Sequence, residues 1–194
     1  MQLNNLNIGF AITGSFCTIA DVLKELEALV LEGANVIPII SENVGGFDTR
    51  FTKAEELKKT LRGLTGNEII ENIQGSEQLG PSGICDVLVI APCTGNTLAK
   101  ISNSITDTSV TMAAKAQLRN EKPLIIAVST NDGLGANAKN IGVLLNRKNV
   151  YMVPFYQDDP VKKARSLLSK FGMIKETIIK ALDGEQIQPI IQSK

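Results

Sequence analysis

The sequence predicts an α/β protein, a three-layer, doubly wound Rossmann-like sandwich around a parallel sheet, and three observations predict it. Five short apolar runs of seven or eight residues alternate with longer segments whose apolar residues recur at helical spacing. The runs are apolar on both faces, as strands covered on both sides must be. The residues that follow the runs are rich in hydroxyls, amides and glycine, and in an open parallel sheet ligands gather at the carboxyl ends of the strands.

Taken in order, Leu6–Thr13 is the first strand. Ile19, Val22, Leu26, Leu29 and Val30 then mark a helix, with Thr18 and Asp21 as a capping pair and Gly33 as its stop. Ala34–Ser41 is the second strand, followed by helices over Thr52–Leu64 and Asn67–Ile73. Asp86–Pro92 is the third strand, and Pro92, which has no N–H, is expected to end its ladder. Helices follow over Gly95–Asn103 and Thr108–Asn120, then the fourth strand over Pro123–Thr130. A helix over Asn137–Arg147 leads to the fifth strand, Asn149–Phe155. The last element is expected to be one helix from about Pro160 to Leu182, its stripe formed by Val161, Ala164, Leu168, Phe171, Ile174 and Ile178, with Asp158-Asp159 ahead of Pro160 as an acidic helix start, the alternative being an acid/base or metal-related pair. At 194 residues, with no repeat and no low-complexity tract, the chain is expected to form a single domain spanning 1–194.

Composition removes several functional classes. Twenty basic and twenty acidic residues cancel without forming a block of either sign, so no electrostatic footprint for nucleic acid or an anionic membrane exists. No apolar run approaches the roughly 20 residues that span a bilayer, and MQLNNLNIGF does not read as a signal peptide; a cytoplasmic location is expected. Three cysteines without C-x-x-C spacing argue for reduced thiols and against a zinc site. The chain has no histidine, which removes imidazole as base, nucleophile partner or metal ligand.

The candidate site lies in the loops after the strands. Thr13-Gly14-Ser15, at the mouth of a helix, suits an anion; a tight turn with a threonine cap is the alternative. Neither G-x-G-x-x-G nor a Walker pattern is present. Ser41 is a further phosphate hydroxyl or a simple strand end. In APCTGNT, Ala91 and Pro92 close the strand, and Thr94, Asn96 and Thr97 are ligand donors or caps of the next helix. Asn131 follows the fourth strand, and Cys17 and Cys93 are expected to lie near the same crevice as ordinary small hydrophobes. Arg50, in GGFDTRF, carries a fork that can grip a carboxylate, or is solvated.

ITGS, Ser41 and APCTGNTLAKISNSITD together resemble the flavoprotein family of FMN-dependent cysteine decarboxylases and related enzymes, whose third segment reads A-P-x-T-A-N-T-x-A-K. The match holds at Ala91, Pro92, Thr94, Asn96, Thr97, Ala99 and Lys100, with Gly95 in place of the alanine. The resemblance implies a Rossmann-like sandwich, trimers or larger assemblies, and an FMN phosphate held by Thr13, Gly14, Ser15, Ser41, Ala91, Thr94, Asn96 and Thr97, with Asn131 retained from a P-M-N segment that reads Ser129-Thr130-Asn131 here. Decarboxylating members rely on a histidine, so decarboxylation is not expected of this chain. GFAITGSFCT, NVGGFDTRF, STNDGLGANAKNIG and VPFYQDDP extend the likeness over nearly the whole chain to one branch of the family. That branch implies an oxidoreductase subunit working beside a dehydrogenase-like partner that carries the NAD(P) site, on a small dicarboxylate, in sporulating bacteria. An independent FMN oxidoreductase and a non-catalytic activator of the partner are the alternatives.

Overall fold

The computed structural model describes residues 3–193. Strand β1 (Asn7–Ile12) leads through a 3₁₀ turn to α1 (Ile19–Leu31), then β2 (Asn35–Ile40), α2 (Glu42–Gly46), α3 (Ala54–Thr65), α4 (Ile73–Glu77) and α5 (Leu79–Ser82). The chain continues through β3 (Val87–Cys93), α6 (Gly95–Ser102), α7 (Ser109–Arg119), β4 (Leu124–Thr130), α8 (Ala138–Leu145), β5 (Val150–Met152), β6 (Phe155–Tyr156), β7 (Leu167–Ser169) and α9 (Ile174–Leu182).

The parallel part of the sheet runs in the order β2, β1, β3, β4, β5, and β7 with β6 adds an antiparallel extension at the far end of β4. The period of two in the strands explains the two packed faces. Ile8, Phe10 and Ile12 point with Val87 and Val89 into one core against α1, α3 and α9. Ala11 points with Leu88 and Ile90 into the other, against α6, α7 and α8. The order places a switch point between β1 and β3, because β1 leads outward to β2 on one side while β3 leads to β4 on the other. Among the described residues no helix is long and apolar enough to cross a membrane.

The helix predicted over Asn67–Ile73 is absent: helix begins only at Ile73. The open edge of β2 claims the segment instead, since Ile70 N–H donates to Pro38 O and Ile40 N–H donates to Ile70 O, both at 2.9 Å. The long final helix is also corrected, because helix starts only at Ile174 and β7 precedes it. Val161 is 90% exposed, so the expected stripe does not begin there. Pro92 does not end β3, which runs to Cys93 across a register shift between Ile90 and Cys93. Gly33 does stop α1, with φ of 90°. Thr18 occupies the N-cap position of α1 but its side chain makes no capping bond; its hydroxyl donates to Ser15 O at 2.9 Å, and Asp21 pairs with Lys24.

Candidate functional site

The carboxyl ends of β1 and β3 are fastened at the switch point by one buried hydroxyl. Thr13 Oγ1 donates to Pro92 O at 2.7 Å and accepts from Thr94 N–H at 3.0 Å. Thr13 is 1% exposed, and both of these bonds are internal. Thr94 is likewise committed: Oγ1 accepts from Thr97 N–H at 3.3 Å and lies 3.1 Å from Thr97 Oγ1, which makes it the N-cap of α6. The capping alternative for Thr94 therefore holds in the structure. These residues shape the site, and the chemistry toward a ligand falls to their neighbours.

Two adjoining clefts meet at Gly14 and Thr94, which line both. The larger, of about 430 Å³, also takes in Ser41, Asn96 and Lys100. The first amide N–H groups of an α-helix lack intrahelical acceptors, and Gly95 and Asn96 supply those of α6. Helix N–H groups, the Ser41 hydroxyl, the Asn96 amide and the Lys100 ammonium form a donor set suited to a phosphate or carboxylate. Two carboxylates also border this cleft, each engaged: Glu42 Oε1 accepts from Ser109 N–H at 2.8 Å, and Asp107 pairs with Lys100 at 2.9 Å. The Lys100 hydrogen bond holds the Asp107 carboxyl below the usual aspartate range.

The smaller cleft, of about 280 Å³, is bounded by Ser15, Thr18, Ser129, Asn131 and Lys163 among others. Ser15 Oγ and Ser129 Oγ lie 2.7 Å apart, and Thr18 Oγ1 lies 3.2 Å from Ser15 Oγ, so three hydroxyls from the loop after β1 and the end of β4 converge. Lys163 pairs with Asp158 at 3.3 Å. Burial opposes ionisation of Asp158, but hydrogen bonds from Ser166 and Lys163 outweigh it and hold the carboxyl below its ordinary value. The glycine-rich loop after β4 folds around its own carboxylate, with Asp132 Oδ1 accepting from Ala136 N–H at 3.0 Å.

Of the residues singled out from sequence, Thr13, Gly14, Ser41, Thr94, Asn96 and Thr97 converge on the larger cleft, and Ser15 and Asn131 border the smaller. Ala91 is fully buried in the core beneath them. Arg50 is not brought to either cleft; it lines a separate groove with Leu23, Lys53 and Glu56, its guanidinium 4.6 Å from the Phe51 ring centroid. Cys17 is exposed beside the smaller cleft, whereas Cys93 is buried and its thiol pKa is driven up by burial. Sequence reasoning left Lys100, Ser129 and Lys163 unassigned. Lys100 closes the A-P-x-T-x-N-T-x-A-K pattern and Ser129 ends a strand, so both carried a signal; Lys163 was hidden within the expected final helix.

Two departures from the family pattern meet in space. A Cβ placed on Gly95 would lie 2.5 Å from Asn137 Nδ2 and 2.7 Å from Thr130 Oγ1. Thr130 belongs to the altered Ser129-Thr130-Asn131 segment, so the glycine and the changed fourth loop lie against each other.

Comparison with known proteins agrees with this geometry. The chain is 46% identical over 190 residues to the B subunit of dipicolinate synthase of Bacillus subtilis (strain 168), a match covering 98% of this chain and 95% of that protein. The crystal structure of the corresponding dipicolinate synthase chain from Bacillus halodurans superposes with a TM-score of 0.92 at 41% identity, covering 100% of both chains. The FMN-dependent cysteine decarboxylase SpaF, at 20% identity and a TM-score of 0.64 over 92% of this chain and 98% of that one, shares the fold. The Flavoprotein family model matches residues 1–182, and with the switch-point cleft and the relative 46% identical, it establishes that this chain belongs to the Flavoprotein family.

Proposed function

We propose that the chain serves as the B subunit of a dipicolinate synthase, working with a dehydrogenase-like A subunit in the mother cell of a sporulating bacterium. The observation that carries this reading is the 46% identity, over 98% of the chain, to a protein of that name. In this reading a dihydrodipicolinate-type precursor loses a hydride to an oxidised nicotinamide on the A subunit and a proton to solvent, leaving the aromatic dicarboxylate. The nicotinamide is assigned to the partner by the same likeness to a synthase subunit named B.

The role of this chain is to bind and orient the dianion. The α6 N-terminus, Ser41, Asn96 and Lys100 hold one carboxylate, and the Ser15–Thr18–Ser129 hydroxyls with Lys163 face the other end of the precursor. Arg50 is proposed as a further carboxylate contact, which its separate groove allows only if the loop moves or a neighbouring chain adjoins it. Homo-oligomers, trimeric or larger, belong to the same proposal. The test is reconstitution with the A subunit. Dipicolinate should form only when both chains are present, and Arg50→Ala should raise KM about 10-fold with kcat little changed. Formation by the A subunit alone at the same rate would overturn the reading, and unchanged kinetics would remove Arg50 from it.

The donor set of the larger cleft favours a second reading, an FMN oxidoreductase. Gly14, Ser41, Asn96 and the α6 N-terminus fit the phosphate of FMN, and the two clefts adjoin at Gly14 and Thr94. When bound, FMN would supply a hydride acceptor of its own. Stoichiometric uptake of added FMN, followed by flavin absorbance and fluorescence, supports this reading, and a colourless protein that takes up none excludes it.

A further inference from the structure

On the helical face behind the larger cleft lies a separate cavity of about 360 Å³ that neither reading uses. Its walls are apolar, from Ile101 of α6 and from Ala114 and Leu118 of α7. Lys115 and Arg119, one helical turn apart on α7, and Arg147, just beyond α8, bring three positive charges to it. No carboxylate lines the cavity, and none of the three cations enters an ion pair among the described residues.

This combination is uncommon on a chain whose charges otherwise balance. Lys115 and Arg119 stand at i and i+4, where like charges repel unless a counter-charge lies between them. Among the described residues ten cations form ion pairs, whereas these three converge where no acid is offered. The Arg147 guanidinium is steadied by one bond, from Nη1 to Ile101 O at 3.3 Å, which leaves its other N–H groups for an acceptor. The cavity volume falls in the range of small-molecule sites, where apolar walls take the body of the ligand and a few polar groups fix its orientation. The rim continues from Ser104 through Thr106 directly into Asp107 and Thr108, which line the larger cleft, so one segment is shared between the cavity and the cleft.

We infer that this cavity is a binding site for a small organic dianion, a ring or short apolar body bearing two carboxylates, distinct from the cleft at the switch point. Arg119 and Arg147 offer forks for the carboxylates, Lys115 adds a third charge, and Ile101, Ala114 and Leu118 cover the body. The inference does not rest on the proposed synthase role.

The test is calorimetric titration of the full chain with benzene-1,3-dicarboxylate at fixed ionic strength. Saturable binding is expected, weakened at least ~10-fold by Lys115→Gln combined with Arg119→Gln. The cleft variant Ser41→Ala with Asn96→Ala, which removes binding at the switch point, should retain one saturable site of wild-type affinity, and inorganic phosphate should bind more weakly for want of an apolar body. Arg147→Gln provides an independent loss on another element, and unchanged thermal unfolding of the variants shows that they are folded. The inference is overturned by absent saturation, by equal affinity in the charge variants, by loss of all saturable binding in the cleft variant, or by equal binding of phosphate. A wild-type mass in solution that falls to that of a monomer in the charge variant would also overturn it, because a second copy would then cover this face.

Discussion

Gly95 shows how a single position can be read from sequence and still be misjudged in effect. Beside a family pattern with alanine there, the glycine looks like a small change; in the fold the space for a Cβ is already taken by Asn137 and Thr130. Gly95→Ala is therefore expected to destabilise the protein by roughly 1–3 kcal/mol, the cost of overpacking, measured by urea unfolding. Combining it with Asn137→Ala should be non-additive, since the second change removes the nearest clashing atom. The thiols give a second residue-scale expectation. Alkylation at neutral pH should label Cys17 alone in the native protein and all three cysteines after denaturation, because Cys85 and Cys93 are buried. Burial pushes the Cys85 thiol up from 9.0 to about 11, so the folded state holds this proton more tightly than the unfolded one. Its contribution to stability is present below pH 9.0 and is lost as pH rises toward about 11. What was legible at this scale was the location of the polar groups. Which of them face a ligand was not, because a hydroxyl such as Thr13 or Thr94 serves equally well as an internal fastener, and only its partners in space decide.

Among the elements, the segment between β5 and α9 departs most from its sequence pattern. Leu168, Phe171, Ile174 and Ile178 keep helical spacing, yet the first half forms a turn and a short antiparallel strand. Two competing interactions account for this. Asp159 Oδ1 accepts from Lys162 N–H at 2.9 Å while Asp158 holds Ser166 and Lys163, closing the chain into a loop. The far end of β4 then offers Ser129 and Thr130 as pairing partners for Leu168 and Leu167. Neither partner is adjacent in sequence, so periodicity alone could not find them. Ser166→Ala should loosen this loop by about 1 kcal/mol, read as roughly fivefold faster amide exchange at Leu167 and Leu168 with global stability little changed. The Asp158 pKa is depressed in the folded state, so its contribution is present above its ordinary value of 3.8 and is lost as pH falls below it. Protection factors for exchange in this loop, relative to intrinsic rates at the same pH, should fall in that acidic window.

Across the whole molecule, the sequence reading and the structure agree on the architecture. Five apolar runs became the five parallel strands because each is buried on both faces, and the helices cover the sheet as their stripes require. The strand order was not legible, since nothing local states that β1 lies between β2 and β3. Yet that order is what brings Thr13-Gly14-Ser15 beside Thr94-Gly95-Asn96 and makes a cleft of two loops 79 residues apart at their fastening bond. The same topology leaves Arg50 in a groove of its own, so any part it plays depends on a neighbouring chain or on loop movement. We propose that the switch-point cleft, through Ser41, Asn96 and the α6 N-terminus, holds the anionic substrate of a two-chain synthase. The most direct test is kcat/KM for dipicolinate formation in the complex reconstituted with the A subunit, comparing the wild-type chain with Ser41→Ala combined with Asn96→Ala. A fall of about 10²-fold with intact assembly is predicted from the loss of two positioned donors. An unchanged kcat/KM would rule out substrate binding by these groups and leave the cleft as architecture.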